Sequence, residues 1–146
     1  MSYETIISFS LKFEGGYCFD KDDKGGETNK GITKVTYDAY RTSNKLPIQS
    51  VKLISDKEIN DIYYNRYWLA AGCDKLEDKL AMVVLDFSIN SGVSRAVKYL
   101  TLTTDPMKYI AFRETFLNDI VKHNPSQQKF LRGWLNRTAA LKKLIA

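Results

Sequence analysis

Apolar residues recur at helical spacing from the start of this chain. Tyr3, Ile7, Leu11 and Glu14 fall on one line, and Ile6, Ser10 and Phe13 on the next, which predicts a helix with one buried face. Ser2 is its candidate N-cap. Gly15 and Gly16 are expected to end it, since glycine readily takes the left-handed conformation of helix ends. Glu14 then lies in the last turn, at the edge of the buried stripe. The helical period disappears between Tyr17 and Thr33, the only plausible β region, which reads as a small irregular hairpin. From Thr33 the period returns in a short helix to Arg41. Residues 42–54 form a loop in which Pro47 bars regular helix. Ser55-Asp56-Lys57-Glu58 is a capping box. The helix behind it runs to about Leu69, with Ile59, Ile62, Tyr63 and Tyr67 on one side.

The second half is more apolar. Leu76 to Asn90 carries Leu80, Met82, Val83, Val84, Leu85, Phe87 and Ile89. Such a helix is hydrophobic all round and belongs in the centre of a fold. Ser91-Gly92 ends it, and a short helix spans about Val93 to Leu100. Asp105-Pro106 opens the next one, with aspartate as N-cap and proline at the first helical position. Asn124-Pro125 is expected to repeat that device for the last helix. The fold class is therefore mainly α, with a minor β part near residues 17–33. No repeat, low-complexity segment or linker interrupts it, and 146 residues suit one domain with a single core.

Charge adds a second layer. The net charge is +5, and it is uneven: residues 107–146 hold 8 Lys/Arg against 2 Asp/Glu. A basic surface attracts polyanions such as a cell wall, nucleic acid or anionic lipid. A solvated helix face is the plainer alternative. Lys129, Arg132, Arg137, Lys142 and Lys143 spread around the last helix with no nucleic-acid motif beside them, so a nucleic-acid partner is not expected. Cys18 and Cys73 match no metal spacing and read as free thiols, or as one bridge formed after export. His123, the single histidine, sits near a predicted helix end and reads as structural. With one histidine, Ser-His and Cys-His nucleophile schemes and most zinc sites fall away. Neither a cofactor nor a metal is expected.

Carboxylates remain as the acid–base residues. A partly desolvated Glu14 would have a raised pKa. Beside the acidic turn that follows, with Asp20, Asp22 and Asp23, it would provide the acid-and-base pairing of glycoside hydrolysis. An ordinary solvated helix-end glutamate is the alternative, although a carboxylate at a helix C-terminus opposes the helix dipole. Calcium is disfavoured in the turn. Asp20, Asp22 and Gly25 match EF-hand positions, but Lys24 and Gly31 stand where two ligands belong.

Three stretches carry a resemblance. Glu14-Gly15-Gly16-Tyr17, with the acidic turn, Gly25-Gly26-Glu27-Thr28 and Gly31-Ile32-Thr33 after it, is similar to the N-acetylmuramidases of glycoside hydrolase family 108. Asp86-Phe87-Ser88-Ile89-Asn90-Ser91-Gly92 resembles that family's mid-chain helix. Phe130-Leu131-Arg132-Gly133-Trp134-Leu135-Asn136-Arg137 resembles its C-terminal signature. The resemblance implies a lysozyme-like domain over 1–146, with a catalytic part at 1–92 and a helical part at 93–146 completing the groove. It implies cleavage of the MurNAc-GlcNAc β-1,4 bond in peptidoglycan glycan strands, with Glu14 as general acid. The protein is then expected to be a phage or prophage endolysin. A peptidoglycan-binding or secretion-activating protein without catalysis is the alternative. The N-terminus does not read as a signal peptide, so synthesis in the cytoplasm and delivery to the wall by a holin or secretion machinery are expected. A monomer is expected too.

Other site residues follow with their alternatives. Phage-type lysozymes place Glu, Asp and Thr in a similar order around a small hairpin, and here Asp23 and Thr28 are the candidates for holding the attacking water. Asp20 and Asp22 compete with Asp23 for that place. They join Tyr17 and Asn29 as candidate substrate contacts. Asp86, inside a buried helix, needs a partner, with Arg137 or Arg66 preferred over a catalytic role. Asn90 is a sugar-amide donor or a helix cap. Trp134 is a sugar platform or, preferably, core.

Overall fold

The computed structural model describes residues 3–19 and 26–146. The chain divides into two compact units, Met1–Leu69 and Ala70–Ala146.

In the first unit, α1 spans Tyr3–Leu11 and buries Ile6, Ile7, Phe9 and Ser10. Ser2, its expected cap, lies outside the described residues. α1 stops earlier than its apolar period suggests. Lys12, Phe13 and Glu14 donate their backbone N–H to Phe9, Ser10 and Leu11 in successive i to i+3 turns. The helix thus tightens at its end, and Glu14 stands three residues beyond it. Gly15 and Gly16 do not act as left-handed terminators, because neither has a positive φ.

β1 (Cys18–Phe19), β2 (Glu27–Asn29) and β3 (Ile32–Thr33) form an antiparallel meander in that order. Thr28 pairs with Cys18 on one side and with Thr33 on the other. Asn29 pairs with Ile32, so Lys30 and Gly31 make a two-residue turn. Their φ angles, 49° and 80°, are those of the type I′ turn that suits the twist of a hairpin.

Thr33 then caps α2 (Lys34–Ser43), its hydroxyl accepting from the Thr36 N–H. The expected loop follows, with one 3-10 turn at Val51–Leu53. Ser55 and Glu58 form the capping box of α3 (Asp56–Tyr63). Glu58 also locks α2 to α3, because the Tyr37 hydroxyl donates to it at 2.8 Å and Arg41 pairs with it at 3.2 Å. Helical structure continues past α3 as a π-helix, Tyr64–Leu69. Tyr3 of α1 packs edge-on to Tyr64 and Trp68 there, at 5.1 and 5.4 Å between ring centres.

The second unit holds α4 (Asp78–Ser91), α5 (Val93–Tyr99), α6 (Pro106–His123) and α7 (Gln128–Ile145). α4 is buried from Leu80 through Ser88, as its all-round hydrophobicity predicts. Phe87 is the hub of an aromatic cluster with Tyr99, Tyr109 and Phe116. Asp105 caps α6 by accepting from the Lys108 N–H at 3.0 Å. Asn124 does not repeat this for α7. Its Oδ1 accepts from the Ser126 hydroxyl instead, and a 3-10 turn at Pro125–Gln127 precedes the helix. His123 ends α6 with its Nδ1 2.8 Å from the Asp119 carbonyl oxygen.

Asp86 joins three of these helices. Arg113 of α6 donates Nη1 to its Oδ2 at 2.7 Å. Arg137 of α7 donates Nη2 to Oδ1 at 2.8 Å and Nε to Oδ2 at 3.0 Å. Arg137 was an expected partner and Arg113 was not. Burial by itself would raise the Asp86 carboxyl, but the two guanidinium charges outweigh it and hold the group below the usual carboxylate range.

Candidate active site

The candidate acid takes its place from three local structures in the first unit: the tight turns after α1, the type I′ turn between β2 and β3, and the junction of α3 with the π-helix. They meet around Gly31. A Cβ at this residue would lie 2.6 Å from the Tyr63 hydroxyl oxygen, 2.8 Å from Oε2 of Glu14 and 3.0 Å from its Cδ. Only glycine lets the Glu14 carboxylate and the Tyr63 phenol close on the hairpin turn. The Tyr63 hydroxyl donates to the carbonyl oxygen of Lys30, fastening the same turn to the end of α3.

Tyr67, one turn further on, stacks obliquely on Tyr63 with ring centres 5.2 Å apart. Burial, with the negative charge of Glu14 adding to it, pushes the Tyr67 phenol above its ordinary pKa. A protonated phenol therefore stands in the field of Glu14. Glu14 itself is half-buried. The ensemble is a carboxyl group set against a glycine turn, with two tyrosines close to it.

One face of β2 is occupied by structure. Side chains alternate along a strand, so Glu27 and Asn29 share one face of β2 and Thr28 takes the other. Asn29 donates its Nδ2 to the Val51 carbonyl at 3.2 Å. Glu27 accepts from the hydroxyls of Ser50 and Tyr17, in that order the causes of its lowered carboxyl pKa. These bonds tie the sheet to the Val51–Leu53 turn. Thr28 has neither tie and is half-buried, with Cys18 and Thr33 as its lateral neighbours. Tyr17 keeps an exposed ring, 41% accessible, with the Lys52 ammonium 5.5 Å from its centre.

The remaining expected residues separate into two groups. Asp20, Asp22 and Asp23 lie outside the described residues. Asn90 and Trp134 belong to the second unit. There the Asn90 Oδ1 accepts from Arg113 Nη2 at 3.3 Å. Trp134 is half-buried, stacks on Phe130 at 6.0 Å and lines a recess, which corrects the preference for core. Cys18 is exposed and Cys73 buried, both as free thiols. Burial pushes the Cys73 thiol up to about 12. Among the described residues no group of three or more His, Cys, Asp or Glu is placed to hold a metal ion, and no helix is long and apolar enough to cross a membrane.

Sequence reasoning missed the roles of Tyr63 and Tyr67. It read them as apolar positions on the buried side of a helix, and nothing in that period reports a hydroxyl aimed at a turn over thirty residues away. The signal that existed was Asn29-Lys30-Gly31-Ile32, a two-residue hairpin pattern with glycine at its second central position.

Comparisons with known proteins bear on this geometry. The sequence profile of the family described as Glycosyl hydrolase 108 matches residues 7–92, which include Glu14, the hairpin, Tyr63 and Tyr67. The solved structure of Brucella abortus SagA is similar over 99% of this chain and 95% of that one, with 26% identity and a TM-score of 0.69. A search of curated proteins gives no match.

Proposed function

The chain belongs to the glycosyl hydrolase 108 family and is a peptidoglycan-cleaving glycoside hydrolase; from that premise we propose that it is an N-acetylmuramidase with Glu14 as general acid. The observation that carries this reading is the close approach of the Glu14 carboxylate to the Gly31 turn, where the Tyr63 hydroxyl also approaches. A helix-end glutamate with no chemical role has no need of a turn that excludes every side chain.

The chemistry proposed is a single displacement. Glu14, protonated, donates to the bridging oxygen as the bond to the MurNAc anomeric carbon breaks. A water attacks that carbon from the opposite face and gives up a proton to a second carboxylate. Asp23 is the proposed base, with the Thr28 hydroxyl orienting the water and Asp20 or Asp22 contacting the sugar. This scheme inverts the anomeric centre and sets the two carboxyl groups roughly 6.5–9.5 Å apart. The alternative of wall binding without cleavage leaves no use for the acid.

Turbidity clearing of purified cell walls tests the acid. Glu14→Gln keeps the size and hydrogen-bonding shape of the side chain, so the variant folds and clearing stops. A folded variant that clears walls near the wild-type rate would sink the proposal. The anomer first released from a defined glycan, read by NMR, tests the displacement: early β-anomer means retention and removes the water-holding role from the first step. We further propose delivery by a holin, as an endolysin requires. Host cells making the protein alone should then stay intact and lyse on co-expression of a holin; prompt lysis without one counts against that route.

A further inference from the structure

A second set of groups poised for a ligand lies on the Ala70–Ala146 unit. Residues of α4, α6 and α7, with Arg95 of α5, enclose a recess of about 210 Å³ whose wall includes Asn90, Ser91, Phe116 and Trp134. A neighbouring recess of about 410 Å³ shares Arg95 and Phe116 with it and adds Ser94, Lys98 and Tyr99. Arg95 is the ridge between the two. Its guanidinium lies 4.2 Å from the centre of the Phe116 ring, and its Nη1 donates to the Ser91 carbonyl at 3.1 Å.

The polar chemistry of this double recess has one sign. The Asn90 Oδ1 accepts from Arg113 Nη2 at 3.3 Å and from the Ser91 hydroxyl at 3.1 Å. A guanidinium only donates, so the oxygen of the amide must face it and the NH₂ end is left to donate elsewhere. Behind Asn90, the buried carboxylate of Asp86 is paired with two buried arginines, Arg113 and Arg137. Arg95 and Lys98 bring two positive charges to the surface. Among the described residues no carboxylate lines either recess. The Trp134 ring, half-buried and stacked on Phe130, supplies a flat apolar wall of the kind that receives a ring face.

The fitting ligand is therefore anionic and rich in acceptors, with a ring beside its charge. We propose that this groove binds the carboxylate-bearing peptide stem of peptidoglycan at Arg95 and Lys98, with the sugar that carries the stem against Trp134. The choice of peptidoglycan as the source rests on the muramidase reading; the anion-selective groove does not. MurNAc carries its peptide through a lactyl ether on the ring, so one residue of the polymer presents both features side by side.

The test uses the full chain carrying Glu14→Gln, so that the probes survive. Calorimetric titration compares a GlcNAc-MurNAc disaccharide bearing a tetrapeptide with free carboxylates, the same disaccharide without peptide, and a glycerol-phosphate oligomer. The stem-bearing probe should bind roughly tenfold or more tightly than the stem-free one, the loss expected from one charge-assisted hydrogen bond. Arg95→Gln should erase that gap and Lys98→Gln narrow it, with helicity and melting temperature unchanged. Equal affinity for the two disaccharides, a gap untouched by Arg95→Gln, or a preference for the phosphate oligomer would each overturn the proposal. Wild-type cleavage of stem-free glycan strands reports on the muramidase reading alone. Cleavage without stem preference removes the groove and keeps the enzyme; stem preference without cleavage does the reverse.

Discussion

Replacing Gly31 by alanine isolates the contact on which the active-site reading rests. The new Cβ would fall 2.6 Å from the Tyr63 hydroxyl and 2.8 Å from Oε2 of Glu14, well inside van der Waals contact. The Glu14 carboxylate ends a half-buried side chain and is the group that gives way, because the Tyr63 ring is fully buried and its hydroxyl is bonded to the Lys30 carbonyl. A displacement of the acid by about 1 Å is enough to cost on the order of 100-fold in turnover. Alanine also strains the backbone, since Gly31 has φ +80°, a conformation that costs an L-residue roughly 1–2 kcal/mol. Gly26 separates the two effects. It has φ +65° and, among the described residues, nothing within 4 Å of where its Cβ would be, so Gly26→Ala carries the strain without the collision. At about 2–4 °C per kcal/mol for a chain of this size, both variants should melt roughly 2–8 °C below wild type. Clearing of cell walls, measured well below both transitions, should fall about 100-fold in Gly31→Ala and stay within about threefold of wild type in Gly26→Ala. Equal activities in the two variants would refute the reasoning, because the room Gly31 gives to Glu14 would then have no bearing on catalysis.

Four further outcomes are expected. Asp86→Asn leaves Arg113 and Arg137 buried without their carboxylate; loss of one partner of a buried pair costs about 3–5 kcal/mol, so the melting temperature followed by circular dichroism should drop by roughly 6–20 °C, and a drop under about 3 °C would show the network to be energetically idle. Because the Asp86 carboxyl is held below its ordinary value, its stabilisation is complete above about pH 3.9 and is lost as pH falls through the lower folded value, so the gap between wild type and Asp86→Asn should close in strong acid. Asp23→Asn should lower turnover strongly and Thr28→Ala more weakly, each with little change in wall binding by co-sedimentation; a large loss at Asp20→Asn or Asp22→Asn with Asp23→Asn near normal would move the base to a neighbour. Reversing the exposed Lys129 and Lys143 to glutamate should slow clearing at low salt and matter less at high salt, since such attraction is screened over about 10 Å at 0.1 M; an equal loss at both salts would exclude charge steering. Lys143 is the choice because Lys142 is paired with Glu114 at 2.7 Å.

Much of the secondary structure is legible because its code is local. The capping box at Ser55, the Thr33 cap of α2 and the Asp105-Pro106 start of α6 each lie within four residues of chain. The all-round apolar run that makes α4 central is as short-ranged. Where local signals misled, the failure had a local competitor. Asn124-Pro125 looks like Asp105-Pro106, but the Ser126 hydroxyl takes the Asn124 oxygen and a 3-10 turn comes first. α1 ends by tightening into i to i+3 turns before its glycines are reached.

A mainly helical chain with a small hairpin, the order of its helices, and Glu14 as the carboxylate to watch can all be read from the residues in order. Periodicity, caps and a contiguous motif are properties of neighbouring residues, and no distant contact is needed to fix them. Tertiary structure alone decided that Gly31 and the Tyr63 hydroxyl close around Glu14, that Arg113 joins Arg137 on Asp86, and that Trp134 opens onto a recess instead of filling a core. Each of these depends on how separate elements are set against one another, which is fixed by the packing of whole helix and sheet faces. An apolar period says which side of Tyr63 and Trp134 is turned inward; it holds no record of what waits there.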